Sequence, residues 1–240
     1  MTNINFYENY NSTNVSQHRA ANERKTFTVL SEQFTTHLPE SKDAAILDIG
    51  CGDGVIMRWL LSLGYINVRG VDISNEQIEI AKQSGLDVYH ADAGDFVKGA
   101  SKIDYVIMRD VLEHLSLEDA ANLLRLIKDK HGASLLVQVP NAESFTAPRS
   151  LYGDITHYRL FTTHSLTQLF LSVGFKSFKI YPQYVPIVSI ASAIRRLVYA
   201  ILVLFYRVVL FAEAGAKRAT ISRNLVAKIE MVDEKDSALR

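Results

Sequence analysis

The sequence predicts an α/β fold in which a doubly wound, mostly parallel sheet is flanked by helices. Short apolar runs alternate along most of the chain with segments of helical periodicity. Several of these apolar runs end in an acidic residue, and the first leads into a glycine-rich turn. The chain has 240 residues, of which 48% are hydrophobic, so it suffices for one sizeable core but not for two full domains.

The predicted elements follow one another in a regular order. An amphipathic helix is expected over residues 18–37, and Pro39 ends it. The alternation that follows indicates parallel strands joined by right-handed crossovers. The predicted strands are 45–49, 67–72, 87–91, 103–108 and 133–139, and the helices are 54–63, 75–83 and 117–130.

Beyond the fifth strand the elements are separated by longer connections. They are a polar loop to Phe161, a helix at 163–173, a sixth strand from Gly174 to Tyr181 and a last strand from Asn224 to Met231. We expect a single domain made of three parts. The parts are an N-terminal cap segment (1–43), a core (44–182 and 221–232) and an apolar helical insertion between strands six and seven (183–220).

The composition gives no sign of a polyanionic partner. Lys and Arg together number 26, as do Asp and Glu, so the formal net charge is zero and no nucleic-acid substrate is expected. The seven His residues lack metal-ligand spacing, and a single cysteine, Cys51, excludes an intrachain disulfide and a Cys-based zinc site. We therefore expect no metal. With no secretory signal pattern at the N-terminus, a cytoplasmic setting is predicted.

The glycine-rich turn after the first strand is the most informative segment. An apolar run that contains Asp48 is followed by alternating glycines at Gly50, Gly52 and Gly54. Glycine lets the backbone bend sharply and approach a ligand closely. The third glycine comes one residue too early for the pyrophosphate pattern G-x-G-x-x-G. With Asp48 and Asp53 beside it, the turn favours a cationic ligand that bears an amino acid.

Two later strands also end in acidic residues. Asp72 follows Gly50 by 22 residues, at a position where open α/β sheets hold ribose hydroxyls. Asp92 ends the third strand, where it can accept a hydrogen bond from an exocyclic amine, although Asp95 is a competing acid. The fourth strand leads into Arg109 and the segment R-D-V-L-E-H-L.

Together these motifs resemble the class I methyltransferases that depend on S-adenosylmethionine. The matching segments are D-I-G-C-G-D-G, V-D-I-S, A-D-A and R-D-V-L-E-H-L, within a similarity that extends from about Ile46 to Val232. The resemblance implies a Rossmann-like fold with seven strands, of which the last is antiparallel. The first motif is specific for the superfamily but says little about the methyl acceptor.

The resemblance also implies a binding site for S-adenosyl-L-methionine. The glycine turn and Asp48 would surround its methionine end, Asp72 would bind the ribose, and Asp92 would bind the adenine amine. The expected cofactor-binding residues are Asp48, Gly50, Cys51, Gly52, Gly54, Asp72, Ile73, Asp92, Ala93 and Arg109.

Several side chains are candidates for a base that takes a proton from the acceptor. They are His114, His157, Asp110, Glu113 and Asp154. Glu113 and His114 form a pair that is common in the superfamily whatever the substrate, which favours a structural or cofactor-shell role. We expect His157 to be the base, because an imidazole titrates near neutral pH, with His114 and Asp154 as the next candidates. The alternative for His157 is a hydrogen bond that only fixes its loop.

The run D-x-T-H-x-x-x-F-T from Asp154 to Thr162 resembles two related groups of enzymes. They are the ubiquinone-biosynthesis-type O-methyltransferases and the methyltransferases of surface-polysaccharide gene clusters. This resemblance implies O-methylation of a sugar, a glycan or a lipid-linked glycan intermediate. The alternatives are a lipophilic small molecule such as a quinone precursor, and a non-catalytic regulatory subunit that keeps the cofactor fold.

The insertion before the last strand is unusually apolar, with three arginines as the only charged residues in the run 190–212. The longest charge-free run, 180–194, has 15 residues and two prolines, so a membrane-spanning helix is not expected. Arg196 and Arg207 share one helix face, as in helices that lie on membranes. Three alternatives stay open for residues 184–212: packing on the core, a homodimer, and peripheral contact with the inner face of a membrane or with a lipid-linked substrate.

Overall fold

The computed structural model describes residues 23–184, 186–215 and 219–231. The strands are β1 (Ile46–Ile49), β2 (Val68–Asp72), β3 (Val88–His90), β4 (Tyr105–Arg109), β5 (Ser134–Pro140), β6 (Phe178–Pro182) and β7 (Asn224–Ile229). The α-helices are α1 (Glu23–Phe34), α2 (Val55–Ser62), α3 (Asn75–Gln83), α4 (Ala93–Gly99), α5 (Leu117–His131), α6 (Ala147–Tyr152), α7 (Thr163–Val173) and α8 (Ile190–Ala214). Short 3₁₀ turns follow α1 (Thr35–His37) and β4 (Leu112–His114).

All seven strands belong to one sheet, in the order β3-β2-β1-β4-β5-β7-β6. The first five strands are parallel to their neighbours, whereas β7 runs antiparallel to both β5 and β6. This arrangement confirms the predicted fold class, including the antiparallel last strand and the helical insertion before it. Because β6 runs in the direction of β5, its carboxyl end delivers the chain to the edge where the parallel strands end.

Two short helices were not predicted. The pattern predicts a direct connection between the third and fourth strands, but α4 forms there because Asp92 caps it. One carboxylate oxygen of Asp92 accepts hydrogen bonds from the amides of Gly94 at 2.8 Å and Asp95 at 3.1 Å. In the predicted polar loop, α6 is six residues long. Each helix buries a single side chain, Val97 or Ala147, so neither has the apolar periodicity that reveals a helix.

The core consists of two apolar layers, one against each face of the sheet. In one layer Phe34 of α1 packs edge to face on Trp59, with ring centroids 6.4 Å apart. In the other, Phe170 of α7 contacts Phe175 and Phe178 in the same geometry. Of the predicted cap segment, α1 therefore packs on the core, while residues 1–22 lie outside the described residues.

The insertion forms a single helix of 25 residues, α8. Most of its apolar side chains face solvent. They are Ile190, Ile194, Leu197, Val198, Ile201, Leu202, Leu204, Phe205, Val208, Val209 and Phe211. Its ring contacts with the rest of the domain are made by Tyr199 and Tyr206, whose centroids lie 5.8 and 5.1 Å from that of Phe145. Within the described residues, no helix has the length and apolar character needed to span a membrane.

Candidate active site

A cavity of about 610 Å³ opens at the carboxyl ends of the parallel strands, beside β1 and β4, where the strand order reverses. Ligands of open α/β sheets bind in this crevice. Of the predicted site residues, its lining includes Asp48, Gly50, Cys51, Gly52, Asp72, Ile73, Asp92, Ala93, Arg109, His114 and His157. Gly54 and Asp154 are not part of the lining.

The glycine turn has the backbone conformation that its sequence predicts. Gly50, Gly52 and Gly54 have φ angles of 70°, 54° and 81°, in the left-handed region that favours glycine. A Cβ on Gly50 would lie 2.6 Å from a methyl group of Val111, so the turn packs directly on the segment after β4. A Cβ on Gly54 would collide with Leu86. Gly54 therefore allows α2 to pack closely in the core and makes no contact with the cavity.

Asp72 links the glycine turn to β2. One of its carboxylate oxygens accepts a hydrogen bond from the amide of Gly52 at 2.8 Å, and the other accepts from the amide of Ser74 at 2.8 Å. Burial raises the pKa of Asp72, while these two amides oppose the rise. A carboxylate has about four lone-pair positions. The amide of Ile73 also acts on this carboxylate. The remaining lone pairs can accept from hydroxyl donors in the cavity, as the predicted binding of a ribose requires.

Asp48 is a buried acid in the lining of the cavity. It is 1% exposed, and its Oδ2 atom has no hydrogen-bond partner among the residues that the structure describes. Burial raises the pKa of Asp48 to about 8; Arg109 opposes the rise, whereas Asp72 and Asp53 add to it. Several carboxylates thus face a single guanidinium, which is an environment that favours a cationic ligand.

The structure distinguishes between the two acids after β3. Both acids are exposed, but Asp92 lines the cavity, whereas Asp95 does not and forms an ion pair with Lys98 at 3.1 Å. Although one oxygen of Asp92 caps α4, its carboxylate borders the cavity together with Ala93. The side chain of Ile73 is 50% exposed at the same end. This end therefore offers an apolar surface and an acceptor, as an adenine ring requires.

At the opposite end, Glu113, His114 and His157 come together. The rings of the two histidines lie edge to face, with centroids 4.5 Å apart. Glu113 is completely buried, and neither carboxylate oxygen has a hydrogen-bond partner within the described part of the chain. Burial raises the pKa of Glu113 well above its ordinary value, and Asp110 and Asp154 add to this. Burial lowers the pKa of His114 to about 4, so its ring is neutral at neutral pH.

Hydrogen bonds fix the orientation of both imidazoles. Asp154 accepts from the hydroxyl of Thr156 at 2.6 Å, and the same hydroxyl oxygen lies 2.8 Å from Nδ1 of His114. Nδ1 of His157 lies 2.6 Å from the carbonyl oxygen of Ser150 in α6. Asp154 is thus a positioning residue that acts on His114 through Thr156. Because the two oxygens that face the rings act as acceptors, we assign the proton of each imidazole to Nδ1 and the lone pair to Nε2.

The backbone is strained beside this cluster. Asp110 has a φ of 57°, and it is the one non-glycine residue with a positive φ among those described. Its carboxylate accepts a hydrogen bond from Gln138 at 2.8 Å, and the residue lines the cavity. Strained backbone of this kind costs free energy and is concentrated at functional sites.

The sequence pattern missed several residues that line the cavity, among them Gln77, Pro140, Ser150, Arg223 and Asn224. Asn224 and Arg223 lie at the start of β7. The antiparallel direction of this strand could have indicated them, because an antiparallel strand starts at the edge where the parallel strands end. Nothing in the sequence marks Ser150, which α6 places in the cavity.

Comparisons with known proteins agree with this site. The family described as methyltransferase domain matches residues 18–179. The ubiquinone biosynthesis O-methyltransferase of Rickettsia canadensis is 33% identical over 89 residues, which cover 35% of this chain and 37% of that protein. The ribosomal protein L11 methyltransferase of Dictyoglomus turgidum is 28% identical over 101 residues, which cover 40% of this chain and 33% of that protein. The chain spans about a third of the length of these curated relatives.

Solved structures share the fold over most of the chain. A SAM-dependent methyltransferase from Archaeoglobus fulgidus aligns with a TM-score of 0.62 and 20% identity, over 87% of this chain and 94% of its own. The buried carboxylate of Asp48 and the close-packed glycine turn fit the cationic, amino-acid-bearing cofactor of such enzymes. Since the family match covers more than half of the chain, the protein belongs to the methyltransferase domain family and is an enzyme that uses S-adenosylmethionine as its cofactor.

Proposed function

We propose that the enzyme methylates a hydroxyl oxygen of a sugar, a glycan or a lipid-linked glycan intermediate. One observation carries this proposal: a single cavity contains both the cofactor-binding residues and the Glu113–His114–His157 cluster. A neutral amine is a good nucleophile without help, whereas a neutral hydroxyl is a weak nucleophile and needs a base to remove its proton as it attacks. A cluster with two imidazole lone pairs, at the far end of the cavity from Asp92, therefore favours a hydroxyl acceptor.

The charges around the cavity support an acceptor that is not a polyanion. Acidic side chains outnumber basic ones in the lining, in a protein whose formal net charge is zero. The acids are Asp48, Asp53, Asp72, Asp92, Asp110 and Glu113, against Arg109 and Arg223. Such a surface repels phosphate backbones. This balance is consistent with the prediction that nucleic acid is not a substrate.

The residues of the site have distinct tasks in this proposal. The cofactor supplies a methyl group that its positive sulfonium activates. The glycine turn and Asp72 hold the cofactor in a fixed position, so the acceptor oxygen needs only to be aligned with the methyl carbon. His157, or His114 held by Thr156, accepts the hydroxyl proton on Nε2. Asp154, which lies outside the cavity lining, supports His114 and does not take part directly.

The geometry of α8 supports a lipid-linked acceptor. The chain leaves β6 at the ligand-binding edge of the sheet, and α8 contacts Phe145 in the loop after β5, which begins at the same edge. An exposed apolar surface of this size is unusual on a soluble domain, and such surfaces mark sites of contact with protein or lipid. We propose that α8 lies in the interface of a membrane, at its inner face, and brings the cavity close to lipid-linked substrates.

The distribution of side chains around α8 fits this orientation. At about 100° per residue, Tyr199, Val203 and Tyr206 share the face that is turned towards the domain, and each is half-buried. The exposed apolar side chains cover the opposite face. Arg196 and Arg207 lie about 20° apart on the border between the two faces. If the apolar face enters the membrane, both guanidinium groups lie at the level of the phosphate headgroups.

We expect the protein to bind vesicles that contain anionic lipid, with an affinity that falls as salt is added. The double variant Arg196→Glu, Arg207→Glu should bind at least about tenfold more weakly, because each arginine near an anionic surface contributes about 1 kcal/mol and each glutamate is repelled. Vesicle sedimentation measures the bound fraction. The matched control is Lys82→Glu, Lys176→Glu, a double charge reversal at exposed positions outside α8. If the protein does not sediment with vesicles but forms a stable dimer, and Phe205→Asp disrupts that dimer, the homodimer would be favoured instead.

A screen of acceptors with labelled cofactor tests the proposed reaction. We expect the labelled methyl group to be transferred to a lipid-linked sugar or a glycan. The product should be a methyl ether, so the label should be stable to alkali, which would release it from a methyl ester. A lipophilic catechol is the second acceptor to include, because curated relatives include ubiquinone biosynthesis O-methyltransferases and the apolar α8 suits a quinone precursor equally well. Transfer only to the catechol would replace the glycan proposal, and transfer only to amines or proteins would overturn both.

Asp48 gives cofactor binding a predicted dependence on pH. Its pKa of about 8 means that the carboxyl is mainly protonated at neutral pH, and the ammonium group of S-adenosylhomocysteine should prefer the ionised form. Affinity for S-adenosylhomocysteine should therefore rise by up to about tenfold per unit between about pH 6 and pH 8, then level off. Binding near pH 7 should release up to one proton, which calorimetry in buffers of different ionisation enthalpy detects. In Asp48→Asn this proton release should disappear; an unchanged release would exclude Asp48 as its source.

A further inference from the structure

Glu113 is the most unusual polar residue of the structure. Its side chain is completely buried, it borders the cavity, and neither of its carboxylate oxygens has a hydrogen-bond partner among the described residues. Buried carboxylates are normally paired with a cation, accept hydrogen bonds or coordinate a metal ion. The cofactor-binding residues lie elsewhere in the cavity, around Asp48 and Asp72. An ionised Glu113 therefore requires a positive partner at this end of the cavity.

The two neighbouring histidines are oriented as metal ligands are. With the proton of each ring assigned to Nδ1, His114 donates to the hydroxyl oxygen of Thr156 and His157 donates to the carbonyl oxygen of Ser150. In protein metal sites, a ligating histidine almost always donates its second ring N–H to a carboxylate, a carbonyl or water, and this fixes the lone pair on the ligating nitrogen. The hydrogen bond from Thr156 to Asp154 extends this support by one more residue.

The spacing of the three side chains suits a single ion. One donor atom from each of Glu113, His114 and His157 can be chosen so that all three lie within 4.8 Å of one another. Ligands at about 2.0–2.2 Å from one ion are at most about 4.4 Å apart. The three atoms therefore lie close to the spacing that the ligands of one ion can adopt.

We propose that Glu113, His114 and His157 bind a divalent transition-metal ion, which in turn binds the hydroxyl of the acceptor. Two imidazole nitrogens with one carboxylate favour ions such as Zn²⁺ or Mn²⁺ over Ca²⁺, which prefers oxygen ligands alone. Since three protein ligands leave coordination positions open towards the cavity, an acceptor oxygen has a place on the ion. The role of the ion in catalysis rests on the proposed function, whereas the site itself does not.

The ion would make the hydroxyl acidic, as metal ions do with bound water. The proton of the hydroxyl then passes to solvent water. The acceptor oxygen forms a bond to the methyl carbon while the carbon–sulfur bond breaks, and the electron pair of that bond stays on sulfur as S-adenosylhomocysteine. In this mechanism His157 holds the ion and is not the proton acceptor, which distinguishes it from a histidine base.

Calorimetric titration of the chelator-treated, full-length protein with Zn²⁺ and with Mn²⁺ tests the site without cofactor or acceptor. We expect one ion per chain, and binding at least about 100-fold weaker in Glu113→Gln and in His157→Ala. Glu113→Gln keeps the shape of the side chain and replaces a buried ionisable group with a neutral one, so its Tm without metal should equal or exceed that of the parent. His164→Ala, at an exposed histidine outside the cavity, is the matched control and should leave binding unchanged. The proposed site would be overturned if His164→Ala lost as much ion affinity as the site variants, or if Glu113→Gln lost none.

Asp154→Asn tests the support of the site from outside the cavity. Because Asp154 supports His114 through Thr156 and also acts electrostatically on His114 and Glu113, its loss should weaken ion binding about 10–100-fold, without abolishing it. Unchanged ion binding in this variant, with a folded protein, would contradict the oriented-histidine geometry on which the site depends.

Activity measurements separate this inference from the proposed function. Treatment with a chelator should abolish methylation of a hydroxyl acceptor, and Zn²⁺ or Mn²⁺ should restore it. If methylation survives the chelator, the proposed role of the ion is wrong, and methylation of a hydroxyl with a histidine as the base remains the proposal. If the ion binds at Glu113 but no hydroxyl acceptor is methylated, the proposed function fails and the metal site stands.

Discussion

The variant His157→Ala should reduce turnover by about 10²–10⁴-fold while it changes the affinity for S-adenosylhomocysteine little. This range is typical for the loss of a group that removes a proton. The expectation holds whether the lone pair on Nε2 accepts the proton itself or binds an ion that acidifies the hydroxyl. Single-turnover kinetics with saturating cofactor, combined with calorimetry of cofactor binding, measure the two effects separately.

A second variant distinguishes chemistry from loop structure at this position. The amide nitrogen of His157→Asn can still donate to the carbonyl oxygen of Ser150, as Nδ1 of the histidine does at 2.6 Å. It has no equivalent of the Nε2 lone pair. We expect turnover in His157→Asn to be as low as in the alanine variant. Recovery to near-parent turnover would assign His157 to fixing its loop, and His114 would become the next candidate.

The variant Asp72→Ala should weaken S-adenosylhomocysteine about 10–100-fold. The loss of a charged hydrogen-bond acceptor costs roughly 1.5–3 kcal/mol, which corresponds to this range of affinity. Two ribose hydroxyls would be buried without an acceptor, and the amide of Gly52 would lose the bond that holds the glycine turn against β2. Calorimetry measures the dissociation constant, and circular dichroism reports whether the fold survives.

Asp95→Ala is the matched control for this prediction. Asp95 is an acid near the same edge of the sheet, but it is exposed and does not line the cavity. Its removal should leave cofactor affinity within about twofold of the parent, as is usual for exposed side chains. Equal dissociation constants for the parent and a folded Asp72→Ala protein would remove Asp72 from the cofactor site.

The cofactor-binding end of the cavity could be predicted because its residues follow directly from local sequence. Each of Asp48, Asp72 and Asp92 stands at or near the end of an apolar run, and the runs are read as parallel strands. Parallel strands end at one edge of a sheet, so residues far apart in the chain were correctly expected to meet. The turn at Gly50 and Gly52 needs only local conformation, and glycine marks it.

The polar end of the cavity depends on contacts that no local pattern records. Glu113 and His114 are separated from His157 by more than forty residues, and the sequence pattern therefore predicted no metal-ligand grouping. The loop that carries His157 is placed by the short helix α6 and by the bond from its ring to Ser150. Asp154 was expected near the chemistry; it lies outside the cavity lining, bonds to Thr156 and acts electrostatically on Glu113 and His114.

The sequence by itself determined the fold class, the parallel order of the first strands, and the cofactor-binding turn of this methyltransferase. Strands, turns and caps are specified by residues that are neighbours in the chain, so their signals survive without a structure. Only the tertiary structure decided that Glu113 is buried with no hydrogen-bond partner among the described residues and that the apolar face of α8 points to solvent. Burial depends on which surfaces meet after the chain has folded. An apolar helix has the same sequence pattern whether that face packs on a core or lies exposed.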